Sequence, residues 1–209
     1  MKKVLIILII FVFIICSIFF IKNNYKVKKI GNNINKSADN LKEYILNISS
    51  YQANIEVTIT SNKNENKYVL KQEYSNPNIS KQEIIEPTNI RGLKTIYDGE
   101  KLKIENTNLS LTKIIENYSY ISTNILWLTS FINEYKNSNE ANCIENQDEI
   151  IMKVNYKENN CNTEKELYID KKKSKPTKMI VKDINKNTAI YIIYNEINFN
   201  SISKEEILS

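Results

Sequence analysis

From Val4 to Ile21 the chain runs eighteen residues without a charge, and only Cys16 and Ser17 interrupt an otherwise aliphatic and aromatic stretch. As a helix rising ~1.5 Å per residue, that stretch spans about 27 Å, enough to cross the hydrocarbon core of a bilayer. It is expected to leave water for a membrane, so whatever folds in water must be built from the rest. Residues 1–21 are therefore read as an N-terminal anchor or signal segment and the lysine-rich residues 22–35 as a juxtamembrane linker. Residues 36–209 are then a single folded domain.

How the apolar segment is kept depends on its end. A small-x-small cleavage site is not visible. A cysteine after an apolar run is the mark of a lipidation signal, which would place a lipid on Cys16. The residue before it is Ile15, however, where such signals carry a small residue, and the run continues apolar through Ile21. An uncleaved anchor is favoured over lipidation at Cys16. Two lysines precede the segment and four follow it, a count that weakly favours a cytoplasmic C-terminal domain, although long domains cross membranes largely regardless of charge.

The same lysines explain the net charge of +5. Residues 1–30 hold six lysines and no acid, which leaves 23 basic against 24 acidic residues in the remainder. A near-neutral domain has no electrostatic case for nucleic acid. The chain contains no histidine, so histidine-based nucleophilic triads, histidine-ligated metals and imidazole acid–base catalysis are excluded. Its three glycines are too few for the phosphate-cradling loops of nucleotide enzymes. Carboxylates are plentiful but irregularly spaced, and no cofactor, metal box or catalytic residue is identified; the chain is read as a non-enzyme.

Ser37 is placed to cap a helix with Asp39 in its first turn and Ala38, Leu41, Ile45 and Ile48 at helical spacing. Strict alternation follows over Tyr51–Thr60, with Ala53, Ile55, Val57 and Ile59 on one face, as in a half-wet strand. A turn at Ser61–Asn66 leads to strands at Lys67–Tyr74, Ile79–Glu86, a stretch ending at Tyr97, and Leu102–Glu105, an antiparallel meander. The period then changes: Leu111–Tyr118 and Thr123–Tyr135 read as helices, the second apolar nearly all round and thus enclosed. Strands return at Ile150–Tyr156, Glu166–Asp170, Thr177–Asp183 and Thr188–Phe199, the last with Ala189, Tyr191, Ile193, Ile197 and Phe199 on one face. The fold class expected is α+β, a curved antiparallel sheet wrapping two or three helices.

Two phrases sharpen that expectation. Ile96-Tyr97-Asp98-Gly99-Glu100-Lys101-Leu102 and Leu167-Tyr168-Ile169-Asp170-Lys171-Lys172-Lys173-Ser174-Lys175-Pro176 are similar to the two hairpin phrases of the LolA-like lipoprotein fold, a half-open curved sheet with helices in its concave side. Over roughly residues 36–200 the chain most resembles the clostridial germination lipoproteins of the GerS-like type. Leu126-Trp127-Leu128 and Ile192-Ile193-Tyr194-Asn195-Glu196 carry that likeness too. The resemblance implies a non-catalytic, extracytoplasmic partner of a CwlD-like spore-cortex N-acetylmuramoyl-L-alanine amidase. An alternative it also implies is a carrier or sensor of lipids or lipoproteins using the concave face.

The candidate sites follow from the residues. Asp98 and Gly99 form a turn, since glycine accepts positive φ and aspartate satisfies nearby backbone; a partner contact there is the less favoured reading. Lys171, Lys172, Lys173 and Lys175 are the densest basic cluster outside the N-terminus, read as a solvated turn with an anionic surface as the alternative. Trp127, Phe131 and Ile132 fill a core or line a lipid cavity, the first being favoured. Cys143 and Cys161 would bridge only if their Cα atoms lie within about 7 Å, with free thiols or an intermolecular bridge in a homodimer as alternatives. Strands Ile79–Glu86 and Thr188–Phe199 are candidate edges for docking or dimerisation by strand addition.

Overall fold

The computed structural model describes residues 37–61, 64–118, 124–158 and 161–209. The expected membrane segment at residues 4–21, Cys16 and the linker at 22–35 lie outside the described residues.

Helix α1 (Ala38–Leu46) opens the domain, with the Ser37 hydroxyl accepting from the Asn40 amide and Asp39 paired with Lys42 at 2.8 Å. The first meander is β1 (Ser50–Thr60), β2 (Glu65–Ser75), β3 (Ile79–Glu86), β4 (Leu93–Tyr97), β5 (Leu102–Asn106) and β6 (Leu111–Ile115). Helix α2 (Leu128–Asn137) carries the chain to β7 (Asn142–Glu145), β8 (Glu149–Glu158), β9 (Cys161–Asp170), β10 (Lys175–Lys182) and β11 (Thr188–Phe199), and α3 (Lys204–Leu208) ends it.

All eleven strands form one sheet in the order β6-β5-β4-β3-β2-β1-β11-β10-β9-β8-β7, every neighbour antiparallel. The first and last strands therefore meet in the middle, and each meander walks outward from that seam. β6 and β7 are the two ends of the order, so the sheet is open. The alternation read in β1 holds: Tyr51, Ala53, Ile55 and Val57 are buried and share one core with Leu70, Met152, Leu167, Ile169 and Ile192. Helices α1 and α2 cover that face, contributing Leu41, Ile45, Leu128 and Phe131. α3 lies on the other face, where the Ile207 carbonyl accepts from Lys81, opposite Glu73 in the β2–β3 register. Ser203 and Glu206 complete a reciprocal capping box at its start.

Four sequence expectations are corrected. Residues 111–118 do not form a helix: Leu111–Ile115 pairs with β5, and the exposure of Leu111 and Ile114 shows that their helix-like spacing marks no buried face. The second expected helix begins later, because the Asn124 carboxamide accepts from the Leu126 amide and Trp127 is extended at the cap position. Its enclosure is as expected, with seven of its ten residues buried. Strands β3 and β11 are not edges, since each is paired on both sides; the free edges belong to β6 and β7. Finally, Ala189, Tyr191, Ile193, Ile197 and Phe199 do not share a face throughout: Ile192 and Tyr194 point to the core, and a bulge at Asn195 shifts the register so that Ile197 does so next.

Candidate functional site

The Asp98–Gly99 turn joins β4 to β5. The Asp98 carboxylate accepts from the Glu100 and Lys101 amides at 2.9 and 2.8 Å, and these backbone donors hold its pKa below the usual carboxylate range. Gly99 sits at φ +103°, a region that disfavours any side chain, and its carbonyl accepts from the Tyr97 hydroxyl at 2.8 Å. The Asp98 amide also donates to the Lys101 carbonyl at 3.3 Å, so the motif is engaged in making the turn.

Trp127, Phe131 and Ile132 are all buried in the core. The Trp127 ring lies 6.4 Å from that of Tyr51, and Phe131 lies 5.8 Å from Tyr135. Cys143 is a free thiol, pushed up in pKa chiefly by burial. A bridge to Cys161 within the chain is ruled out by register: Cys143 pairs with Met152 and Cys161 with Glu158 on the intervening strand β8. Six residues along a strand is roughly 20 Å, far beyond the reach of a disulfide.

Two charged clusters flank β9, and neither was identified from sequence. On the core side the Lys165 ammonium lies 2.6 Å from Glu134 of α2, and both side chains are almost sealed from water. Ser130, one helical turn before Glu134, donates to the same carboxylate oxygen at 3.0 Å. The strand was expected to begin at Glu166; carrying the alternation of Ile169 and Leu167 back by two residues would have placed Lys165 on the inner face. The buried Tyr194 hydroxyl and the Trp127 indole nitrogen have no hydrogen-bond partner among the described residues. Burial pushes the Tyr51 and Tyr194 hydroxyls well above their ordinary pKa, so both are neutral donors.

On the outer face Glu166 is bonded to Lys153, to Lys182 at 2.9 Å and to the Tyr168 hydroxyl at 2.8 Å. Burial opposes its ionisation, but these donors outweigh burial and hold the carboxyl at about 2. Because the folded-state value lies below the ordinary 4.5, the cluster stabilises the protein fully above pH 4.5 and loses that contribution as pH falls toward 2. The contribution is about 3 kcal/mol on the usual conversion. In acid titrations of stability, wild type should fall more steeply than Glu166→Gln between those limits; parallel curves would show that the cluster carries no such coupling.

Among the described residues no group of three or more cysteine, aspartate or glutamate side chains could hold a metal, and no helix is long and apolar enough to cross a membrane. The family model described as "Sporulation protein YdcC-like" matches residues 1–208. The chain belongs to the YdcC-like sporulation protein family.

Solved structures similar to this YdcC-like chain include an uncharacterised conserved protein from Thermus thermophilus, at 10% identity over 83% of this chain and 93% of that one, with a TM-score of 0.51. A chain in the structure of the CwlD amidase from Clostridioides difficile in complex with the GerS lipoprotein matches at 22% identity over 81% and 98%, with a TM-score of 0.48. A LolA superfamily protein from Nitrosomonas europaea matches at 12% identity over 81% and 96%, with a TM-score of 0.43. No curated protein matches the chain. Among the described residues the architecture is an open, wholly antiparallel sheet of eleven strands with three α-helices.

Proposed function

We propose that this YdcC-like protein is a non-catalytic partner protein, tethered to a membrane by residues 4–21 with its domain outside the cytoplasm. In this reading it docks on a spore-cortex N-acetylmuramoyl-L-alanine amidase and stabilises the active form of that enzyme. The observation that carries the reading is the match to a sporulation family along nearly the whole chain. The phrases Leu126-Trp127-Leu128 and Ile192-Ile193-Tyr194-Asn195-Glu196, which resemble those of the GerS-like germination lipoproteins, direct it toward cortex modification.

The mechanism is a population shift. A partner that binds the active conformation of an enzyme better than the inactive one raises the active fraction by that difference in affinity, with no chemistry of its own. A spore-former lacking this protein should make cortex without muramic-δ-lactam while the amidase polypeptide is still present. Co-expression of the full chain with the amidase should yield a stable complex by pull-down and native mass spectrometry. Normal δ-lactam in the deletion strain refutes the reading, and lipid co-purifying in place of an amidase would favour a carrier.

A further inference from the structure

The basic turn read in the sequence separates into two halves. Lys171 is tied to Glu145 at 2.7 Å and to the Asn146 carbonyl at 3.1 Å, and Lys172 to Asp148 at 3.3 Å. Lys173 and Lys175 have no ion-pair partner among the described residues. The Lys175 ammonium instead reaches the Asn198 carboxamide on the neighbouring strand, at 3.0 Å.

These two lysines stand where the sheet comes apart. β10 and β11 are paired from Lys182↔Thr188 to Lys178↔Ile193 and no further. Just beyond, each strand carries a bulge, β10 at Thr177 against β9 and β11 at Asn195 against β1. A bulge bends its strand and increases the local twist, so β10 follows β9, β11 follows β1, and the two diverge. Pro176, in the diverging stretch, has no N–H to offer a ladder. The opening has a volume of about 410 Å³, and its lining includes Lys173, Lys175, Thr177, Asn195, Glu196 and Asn198.

The walls of this notch are held on their far sides: Lys175 and Pro176 by Asp170 and Ile169, and Tyr194 and Glu196 through Phe199 by β1. Toward the notch, neither strand has a strand partner over these residues. Of the charged groups around it, Glu196 accepts from the Asn54 carboxamide at 3.1 Å, and neither it nor the two ammonium groups has an ion-pair partner among the described residues, so two cations and one anion leave the rim with one positive charge in excess. An opening between two strand segments, with ammonium groups in excess over carboxylate at its rim, suits a ligand that supplies both backbone hydrogen-bonding groups and a carboxylate. We propose that the notch between β10 and β11 receives an extended acidic peptide segment of a partner protein, which adds to a strand edge and places a carboxylate on Lys173 and Lys175. This rests on the reading that the protein acts by docking on a protein partner, and names the surface used.

The test uses the full chain in detergent and a fluorescein-labelled hexapeptide alternating valine and glutamate, read by fluorescence anisotropy. Binding should weaken about tenfold or more when glutamine replaces glutamate in the peptide, in the double variant Lys173→Glu/Lys175→Glu, or in high salt, which screens exposed charge. Lys172→Glu, at a lysine already paired outside the notch, should bind as wild type does. Thr177→Trp, which fills the opening and keeps both lysines, should also lose the peptide. Failure of wild type to bind the acidic peptide overturns the proposal, as does equal binding by the double variant. Capture of the amidase by both wild type and the double variant removes the notch as the docking surface and leaves the amidase reading standing. Peptide binding without amidase capture supports the notch and removes the amidase.

Discussion

Lys165→Met is expected to destabilise the domain by about 3–5 kcal/mol, the cost of leaving a buried charge without its partner. Lys165 and Glu134 join β9 to α2 through a 2.6 Å contact shielded from water, and the second oxygen of Glu134 has no hydrogen-bond partner. Methionine preserves most of the length and apolar surface of lysine, so lost packing contributes little and the loss reports the stranded carboxylate. The double variant Lys165→Met/Glu134→Leu should recover most of the deficit, because the carboxylate that needed compensation is gone. Urea denaturation of wild type, both single variants and the double variant closes the cycle. Loss of less than about 1 kcal/mol in Lys165→Met would show that water reaches the pair and that it is no fixed link between helix and sheet.

Phe131→Ala is expected to cost about 3–5 kcal/mol as well, by a different mechanism. Phe131 is fully buried on α2 and packs on Tyr135 within the core. Removing the ring forfeits its transfer energy and leaves a void that the eleven-stranded sheet cannot collapse to fill. For a domain of this size the melting temperature should drop by on the order of 10 °C. The same variant separates the two readings of Trp127, Phe131 and Ile132. A filled core loses stability and takes up no ligand; a lipid-lined space would lose little stability and change its uptake of a fluorescent fatty acid.

Much of the framework was legible because its signals are local. The Ser37 cap, the alternation of β1, the Asp98–Gly99 turn and strands β3 and β11 each rest on the chemistry of a few neighbouring residues. The misreadings have a common origin. Leu111, Ile114 and Ile115 are spaced as on a helix, but pairing with β5 provides their backbone partners, and only Ile115 packs against the core while Leu111 and Ile114 are exposed, so the spacing marks no helical face. The capping box of α3, Ser203 with Glu206, was present in the sequence and marks a helix too short to show periodicity. Lys165 escaped notice because a charged residue is assumed to face water, and only the position of Glu134 across the core makes it an inner-face residue.

The eighteen uncharged residues at the start, the absence of histidine and the alternating strands determined by themselves that this chain would be an antiparallel sheet domain with an apolar N-terminal segment, lacking imidazole chemistry. Those are properties of composition and nearest neighbours, which no folding can alter. Which strands would be interior, which face of β11 would meet the core, and which lysines of the basic turn would stand without an ion pair were decided only by tertiary structure. The bulge at Asn195 shows why: one extra residue against β1, a neighbour distant in sequence, reverses every following side chain and helps part β11 from β10. That residue becomes an insertion only when its partner strand is in place.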